Sequence, residues 1–113
     1  MKRIAILRCL HSNDVCTGAA CLAAFNAKSK SFEAYKEEGA ELVAYWSCDG
    51  CKEVRFDNPR GLEGKINTIE KLQVDVLHLG ICTKNREGNE CPVATKIAER
   101  LEAKGIKVVR GTH

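Results

Sequence analysis

The stretch "ELVAYWSCDGC", Glu41 to Cys51, decides how the rest of the chain is read. Glu41 to Cys48 follows the break at Gly39 and is apolar with aromatic residues, which predicts a buried strand. Ser47 to Cys51, "SCDGC", then places two thiols three positions apart at and just beyond the strand's carboxyl end. Such a pair serves as a redox dithiol, as half of a metal site, or as two small hydrophobes near a sheet edge. Gly50 between them gives a permissive backbone, so both sulfurs can turn toward one point.

Working outward, strand and helix patterns alternate. Lys2 to Cys9 is a β-branched-rich run, and Asp14 to Lys28 reads as a helix with Asp14 as its N-cap. Gly18, Ala19 and Ala20 allow that helix to pack closely. Leu62 to Gln73 carries Ile66, Ile69 and Leu72 at helical spacing, and Asp75 to Cys82 is a third strand. Cys91 to Gly105 is the clearest helix, with Pro92 in its first turn, Ile97 and Leu101 four apart, and Gly105 as its stop. Ile106 to His113 is the last strand. The order βαβαβαβ predicts an α/β domain: a small four-stranded parallel sheet with helices on both faces, flavodoxin-like or Rossmann-like, joined by right-handed crossovers.

The chain totals bound the alternatives. At 113 residues it is one compact domain, residues 1–113, with a core of its own. Hydrophobic residues make up 44% and charged residues 29%, a globular balance. Eighteen basic and fifteen acidic residues leave a net charge of +3, with no basic block interleaved with aromatics, so neither nucleic acid nor a membrane surface is an expected partner. The apolar run at the start breaks at Arg8 and lacks a small-residue cleavage site, so it reads as a first strand rather than a signal peptide. The expected compartment is therefore the cytoplasm. Seven cysteines is an abnormal count there, because cytosolic thiols seldom form structural disulfides and more often serve metal or redox chemistry.

In parallel sheets of this kind, ligands bind beyond the carboxyl ends of the strands, at the point where strand order reverses. Cys9, Cys48 and Cys82 each close a strand at that end. Cys51 lies in the loop just past Cys48, Cys16 falls in the first turn of the first helix, Cys91 opens the last helix, and His113 closes the fourth strand. Neighbouring strands lie about 4.8 Å apart, so thiols at adjacent strand ends can converge on one tetrahedral ion. The expected metal ligands are Cys9, Cys16, Cys48, Cys51, Cys82, Cys91 and His113. Helix N-termini at Cys16 and Cys91, together with Lys52, Arg55, Lys84 and Arg86, favour thiolates there. Cys21 shares a helical stripe with Gly18, Leu22 and Phe25 and reads as core. His78 stands four residues before Cys82 on one strand, about 13 Å away at ~3.3 Å per residue, so it reads as an interior histidine. His11 is loop-borne and uninformative.

Other chemistries fail on particular residues. Low-molecular-weight phosphatases and arsenate reductases use C-x5-R after strand one, and six positions after Cys9 stands Val15. A thioredoxin dithiol opens a helix, whereas "KEVRFDNPRG" after Cys51 has loop composition. Neither a nucleotide-binding glycine motif nor G-x-S-x-G occurs.

Taken together, "RC" after strand one, C-x-G-x-x-C at Cys16 to Cys21, "SCDGC", "DVLHLGIC", "ECP" and the terminal "GTH" resemble the CGGC-domain family across the whole chain. Those proteins are small, cysteine-rich and described as metal-binding. The resemblance implies that Cys48 and Cys51 are the motif thiols, with Asp49 where the first glycine of the naming motif would stand. It implies Cys9, Cys16, Cys21, Cys82 and Cys91 as accompanying cysteines, and His78 or His113 as the family histidine. It assigns no reaction. The resulting expectation is a cytosolic metal-binding domain holding zinc or an iron–sulfur cluster through thiolates at the carboxyl rim of the sheet. A redox partner protein would fit such a site. Two rivals remain. One is a metal-free thiol–disulfide reductase with Cys48 as nucleophile, Cys51 or a neighbouring strand-end thiol as resolver and His113 nearby as acid or base. The other is an interaction or electron-carrier module without turnover.

Overall fold

The computed structural model describes residues 1–10, 15–48, 59–85 and 87–111. Four strands form one sheet, β1 (Lys2–Arg8), β2 (Ala40–Ser47), β3 (Val76–Leu79) and β4 (Lys107–Val109), in the order β2-β1-β3-β4. Every pairing is parallel. Three helices connect them: α1 (Ala19–Ala27), α2 (Pro59–Lys71) and α3 (Pro92–Glu102). The predicted α/β class, the four parallel strands and the helices on both faces are all present. The order reverses between β1 and β3, which makes the carboxyl ends of those two strands the place where this architecture opens a crevice.

β1 is central, and Ile4, Ala5, Ile6 and Leu7 are all at most 1% exposed, as a parallel strand covered on both faces requires. Its alternation divides the core. Ala5 and Leu7 pack with Ile66, Ile69, Ile97 and Leu101, on the α2 and α3 side. Ile4 and Ile6 pack with Cys21, Ala24 and Phe25 of α1 and with Phe32 and Tyr35. Each fully buried Ile, Leu or Phe contributes roughly 1.5–3 kcal/mol.

β2 carries a bulge. Its register against β1 shifts between Ile4 and Ala5, which pair with Leu42 and Ala44, so Val43 is the extra residue. Because side chains alternate with a period of two, one inserted residue reverses every face beyond it. Leu42 and Tyr45 therefore both lie on the α1 side, while Ala44, Trp46 and Cys48 lie on the α2 and α3 side. This bulge decides which way Cys48 faces.

Several expected boundaries move, each for a local reason. The first helix begins at Ala19 rather than Asp14, because Gly18 at its N-cap has φ +80°, outside helical space. A Cβ at Gly18 would also lie 2.3 Å from the Tyr45 hydroxyl oxygen. Cys16 consequently stands in the connection before α1 instead of its first turn, and Asp14 lies outside the described residues. β3 ends at Leu79, and Ile81–Thr83 forms a 3-10 turn closed by Thr83 N–H and Thr83 Oγ1, both bonded to the Gly80 carbonyl. Cys82 is thus in a turn beyond the strand. Lys30–Tyr35 forms a 3-10 segment that the sequence pattern left unassigned, and it buries Phe32 and Tyr35. β4 stops at Val109. Among the described residues, no helix is long and apolar enough to cross a membrane.

Candidate metal centre

Leu7, Arg8, Cys9, Cys48, Thr83, Cys91 and Ala94 line a narrow cleft above the carboxyl ends of β1 and β2. Three of the seven are thiols, brought there by three different elements. Cys9 follows the last residue of β1, Cys48 follows the last residue of β2, and Cys91 is the N-cap of α3. The cleft has a volume of about 10 Å³, room for about one water-sized sphere.

Backbone hydrogen bonds hold the walls. Gly80 N–H donates to the Leu7 carbonyl at 2.9 Å, tying the end of β3 to the end of β1. Cys91 N–H donates to the Thr83 carbonyl at 2.7 Å, and the Cys91 carbonyl accepts from Thr95 N–H at 3.0 Å in the first turn of α3. Pro92 at the start of α3 is preset for a helix and has no N–H to leave unpaired. Lys65 Nζ of α2 donates to the Ser47 carbonyl at 2.9 Å and so secures the backbone just before Cys48.

Glu90, beside Cys91, joins three segments. It forms an isolated β-bridge with Lys84, accepts a hydrogen bond from the Thr95 hydroxyl, and accepts one from Arg110 Nε at 2.7 Å. Burial pushes its carboxyl up, yet Thr95 and Arg110 outweigh that and hold it below its usual range. The carboxylate is therefore committed to orienting the loop that carries Cys91.

The remaining described thiols lie toward the α1 side. Cys82 Sγ accepts a hydrogen bond from Cys9 N–H at 3.3 Å, so it backs β1 rather than lining the cleft. Cys16 Sγ accepts from Gly18 N–H at 3.3 Å. Cys21 is 3% exposed and packs in the α1-side core, as its stripe predicted. Burial pushes the Cys21 thiol up; the Tyr45 hydroxyl opposes this, and neighbouring Cys82 and Cys16 reinforce it. Tyr45 meets that thiol, and among the described residues no hydrogen bond of good geometry satisfies its buried hydroxyl. Among the described residues, no disulfide joins any of the six cysteines. Among the described thiols, Cys48 and Cys21 thus pack on opposite faces of the sheet, and Cys82 stands against Cys9 at its rim. Cys51 and His113 lie outside the described residues, as do Lys52, Arg55 and Arg86.

His78 is fully buried on the α1 side, with Nε2 2.8 Å from the Tyr35 hydroxyl and its ring 4.4 Å from that of Phe32. Nδ1 has no hydrogen-bond partner among the described residues. Burial, aided by Lys107, pushes its pKa down to about 4. It is the interior histidine that the strand arithmetic expected.

Arg8 is the residue that the sequence reasoning passed over. It lines the cleft, its guanidinium lies 5.1 Å from the centre of the Tyr45 ring, and Nη1 is 3.4 Å from the Cys16 carbonyl. The available signal was its place at the carboxyl end of the central strand, beside Cys9.

A family model described as "CGGC domain" matches residues 3–113. The chain belongs to the CGGC domain family. Uncharacterized protein MJ0582 from Methanocaldococcus jannaschii is 31% identical over 123 aligned positions, covering 98% of this chain and 86% of that protein. No solved structure matches the chain.

In this CGGC domain the cleft donors are all sulfur, the ligand type that zinc and iron–sulfur centres take. The donor chemistry therefore fits the expected metal. Among the described residues alone, no three His, Cys, Asp or Glu side chains stand close enough to hold an ion. Cys9, Cys48 and Cys91 line one cleft without standing close enough as a group to hold an ion, and the family-motif thiol Cys51 follows Cys48 by three positions.

Proposed function

We propose that this CGGC domain is a cytoplasmic metal-binding protein in which Cys9, Cys48, Cys91 and the motif thiol Cys51 hold a single soft ion, zinc before an iron–sulfur cluster. The convergence of three thiols from separate elements on one cleft at the strand-order switch point carries this reading. Zinc is the simpler fit, because four thiolates complete one tetrahedral site. Bound zinc would be held as a tetrathiolate, a closed structural arrangement, or would exchange one thiolate for an incoming donor. His113, one of the two histidines the family resemblance offers, is the candidate for such an exchangeable position. A redox or metal-exchanging partner protein fits a rim of this kind.

Metal analysis of protein purified without oxygen tests the reading. One zinc per chain in the native protein, lost in Cys48→Ser, Cys51→Ser and Cys91→Ser and kept in Cys21→Ser, is the expected result. A broad absorption band near ~400 nm would replace the ion with a cluster. Equal metal in all four variants would refute the assigned ligands.

A second reading draws on the three-position spacing of Cys48 and Cys51, the spacing of an exchanging dithiol. In it, Cys48 and Cys51 work as a metal-free exchange pair. Metal-free protein with a reversible Cys48–Cys51 disulfide would move the assignment there.

A further inference from the structure

We propose that Lys65 of α2 is a positioning residue of the metal centre: by holding the Ser47 carbonyl it fixes the direction of the Cys48 side chain. This role rests on the metal-binding reading, since the zinc geometry at Cys48 is what the lysine sets. Lys65 Nζ donates to the Ser47 carbonyl oxygen at 2.9 Å, across 18 positions of chain. That oxygen and the Cys48 N–H belong to the same planar peptide unit. With the plane held, only the φ torsion of Cys48 stands between it and the direction of the side chain.

Of the three cleft thiols, Cys48 takes the least support from the sheet. Cys9 follows β1, which has β2 on one side and β3 on the other. Cys91 caps α3, with its N–H bonded to the Thr83 carbonyl and its own carbonyl bonded to Thr95 N–H. Cys48 follows β2, which among the described residues is an edge strand paired with β1 alone. It stands just past the last register pair, Arg8 with Ser47. An edge strand is held from one side, so its end loosens most easily. The bulge at Val43 interrupts the ladder further back. Lys65 supplies restraint from another direction, and its root is rigid. The next residue, Ile66, is fully buried and packs with Ile69, Ile97 and Leu101. One packed core therefore holds both α2, whose lysine sets Cys48, and α3, which Cys91 caps.

Stability alone does not call for a lysine at this place. Ser47 is half-buried, so water can serve its carbonyl. Ordering a four-carbon side chain costs conformational entropy that a solvated lysine keeps. What the contact adds is stiffness, because an ammonium bonds a carbonyl more strongly than a neutral donor does. It also sets a positive charge on the backbone next to a ligand, and four thiolates around Zn²⁺ leave a net negative charge for it to offset.

Zinc competition with a chromophoric chelator, on the full chain and two Lys65 variants, tests this. Lys65→Met keeps the apolar stem and removes the donor, and Lys65→Arg restores a charged donor of similar reach. Zinc affinity should fall roughly ten- to a hundred-fold in Lys65→Met, the usual cost of losing a partner behind a ligand. Lys65→Arg should recover most of that loss, and the thiolate absorption of the cobalt-substituted protein should weaken in Lys65→Met alone. The urea midpoint of chelator-treated Lys65→Met should stay near native. Equal affinity in native protein and Lys65→Met, a loss that Lys65→Arg shares in full, or a urea midpoint that falls in step with affinity would each overturn the proposal. If the native chain takes up no metal, iodoacetamide labelling of metal-free protein decides it by peptide mapping. Cys48 is buried, so its release in Lys65→Met should speed its labelling several-fold while Cys91 keeps its rate. Equal Cys48 rates would overturn the role of Lys65, so failure of the metal reading and failure of this one are separable.

Discussion

His78 makes this protein sensitive to mild acid, by an amount that the structure sets. Its imidazole is fully buried, held neutral against Tyr35 and Phe32, with a folded pKa of about 4 against an ordinary 6.5. The folded pKa is depressed, so the unfolded chain binds more protons across this interval. The contribution is therefore complete above pH 6.5, falls as pH drops through it, and is gone below the folded value. The full difference is about 3 kcal/mol at about 1.36 kcal/mol per pKa unit. Between pH 7 and pH 5 alone, linkage gives a loss of about 2 kcal/mol. That upper window separates the histidine from Glu63 and Glu90, whose carboxyls are held below their usual range and which weaken the fold only at lower pH. The assay is urea unfolding of reduced, chelator-treated protein at pH 7 and pH 5, so that metal binding adds no pH dependence of its own. The comparison is His78→Leu combined with Tyr35→Phe, which leaves no buried hydroxyl orphaned. The native chain should lose about 2 kcal/mol over the interval, and the double variant almost none of that share. Equal losses in both proteins would refute the account of a neutral, desolvated His78.

Other consequences are more local. Gly18→Ala should destabilise the domain by roughly 1–3 kcal/mol, since it strains a positive φ and drives a methyl into Tyr45; thermal unfolding measures it. Glu90→Ala should weaken zinc binding roughly ten- to a hundred-fold, the usual cost of losing an orienting partner behind a ligand, while the circular dichroism spectrum keeps its native shape. Competition with a chromophoric chelator reads the affinity. Deleting Val43 removes the bulge and turns Cys48 toward α1, so zinc stoichiometry should fall to background in whatever fraction remains folded. Ile97→Ala, in the core between α3 and the sheet, should cost about 2–5 kcal/mol in urea unfolding.

Local chemistry was legible wherever it depended on near neighbours in the chain. The apolar runs in β1 and β3, the stripe on α2, Pro92 at the start of α3 and Cys91 as its cap could all be read directly. The failures share one cause. The first helix was started too early because an N-cap aspartate and small residues read as helix, whereas Gly18 is held in left-handed space by Tyr45, a residue 27 positions away. The 3-10 segment around Phe32 and Tyr35 has too little periodicity to announce itself, and it forms because those rings cover β1 and β3. Arg8 looked like a charge that ends an apolar run until the fold placed it between two groups of thiols.

From its sequence alone, the chain determined a four-stranded parallel α/β domain of the CGGC family, with sulfur gathered at the carboxyl ends of the strands. Alternation along a short segment, caps and glycine breaks suffice for that, because each acts over a few residues. Only the tertiary structure decided that Cys48 and Cys21 pack on opposite faces of the sheet. A single extra residue, Val43, sets whether Cys48 faces α1 or α3, and a period-two pattern with one insertion becomes readable only once the partner strand supplies the register.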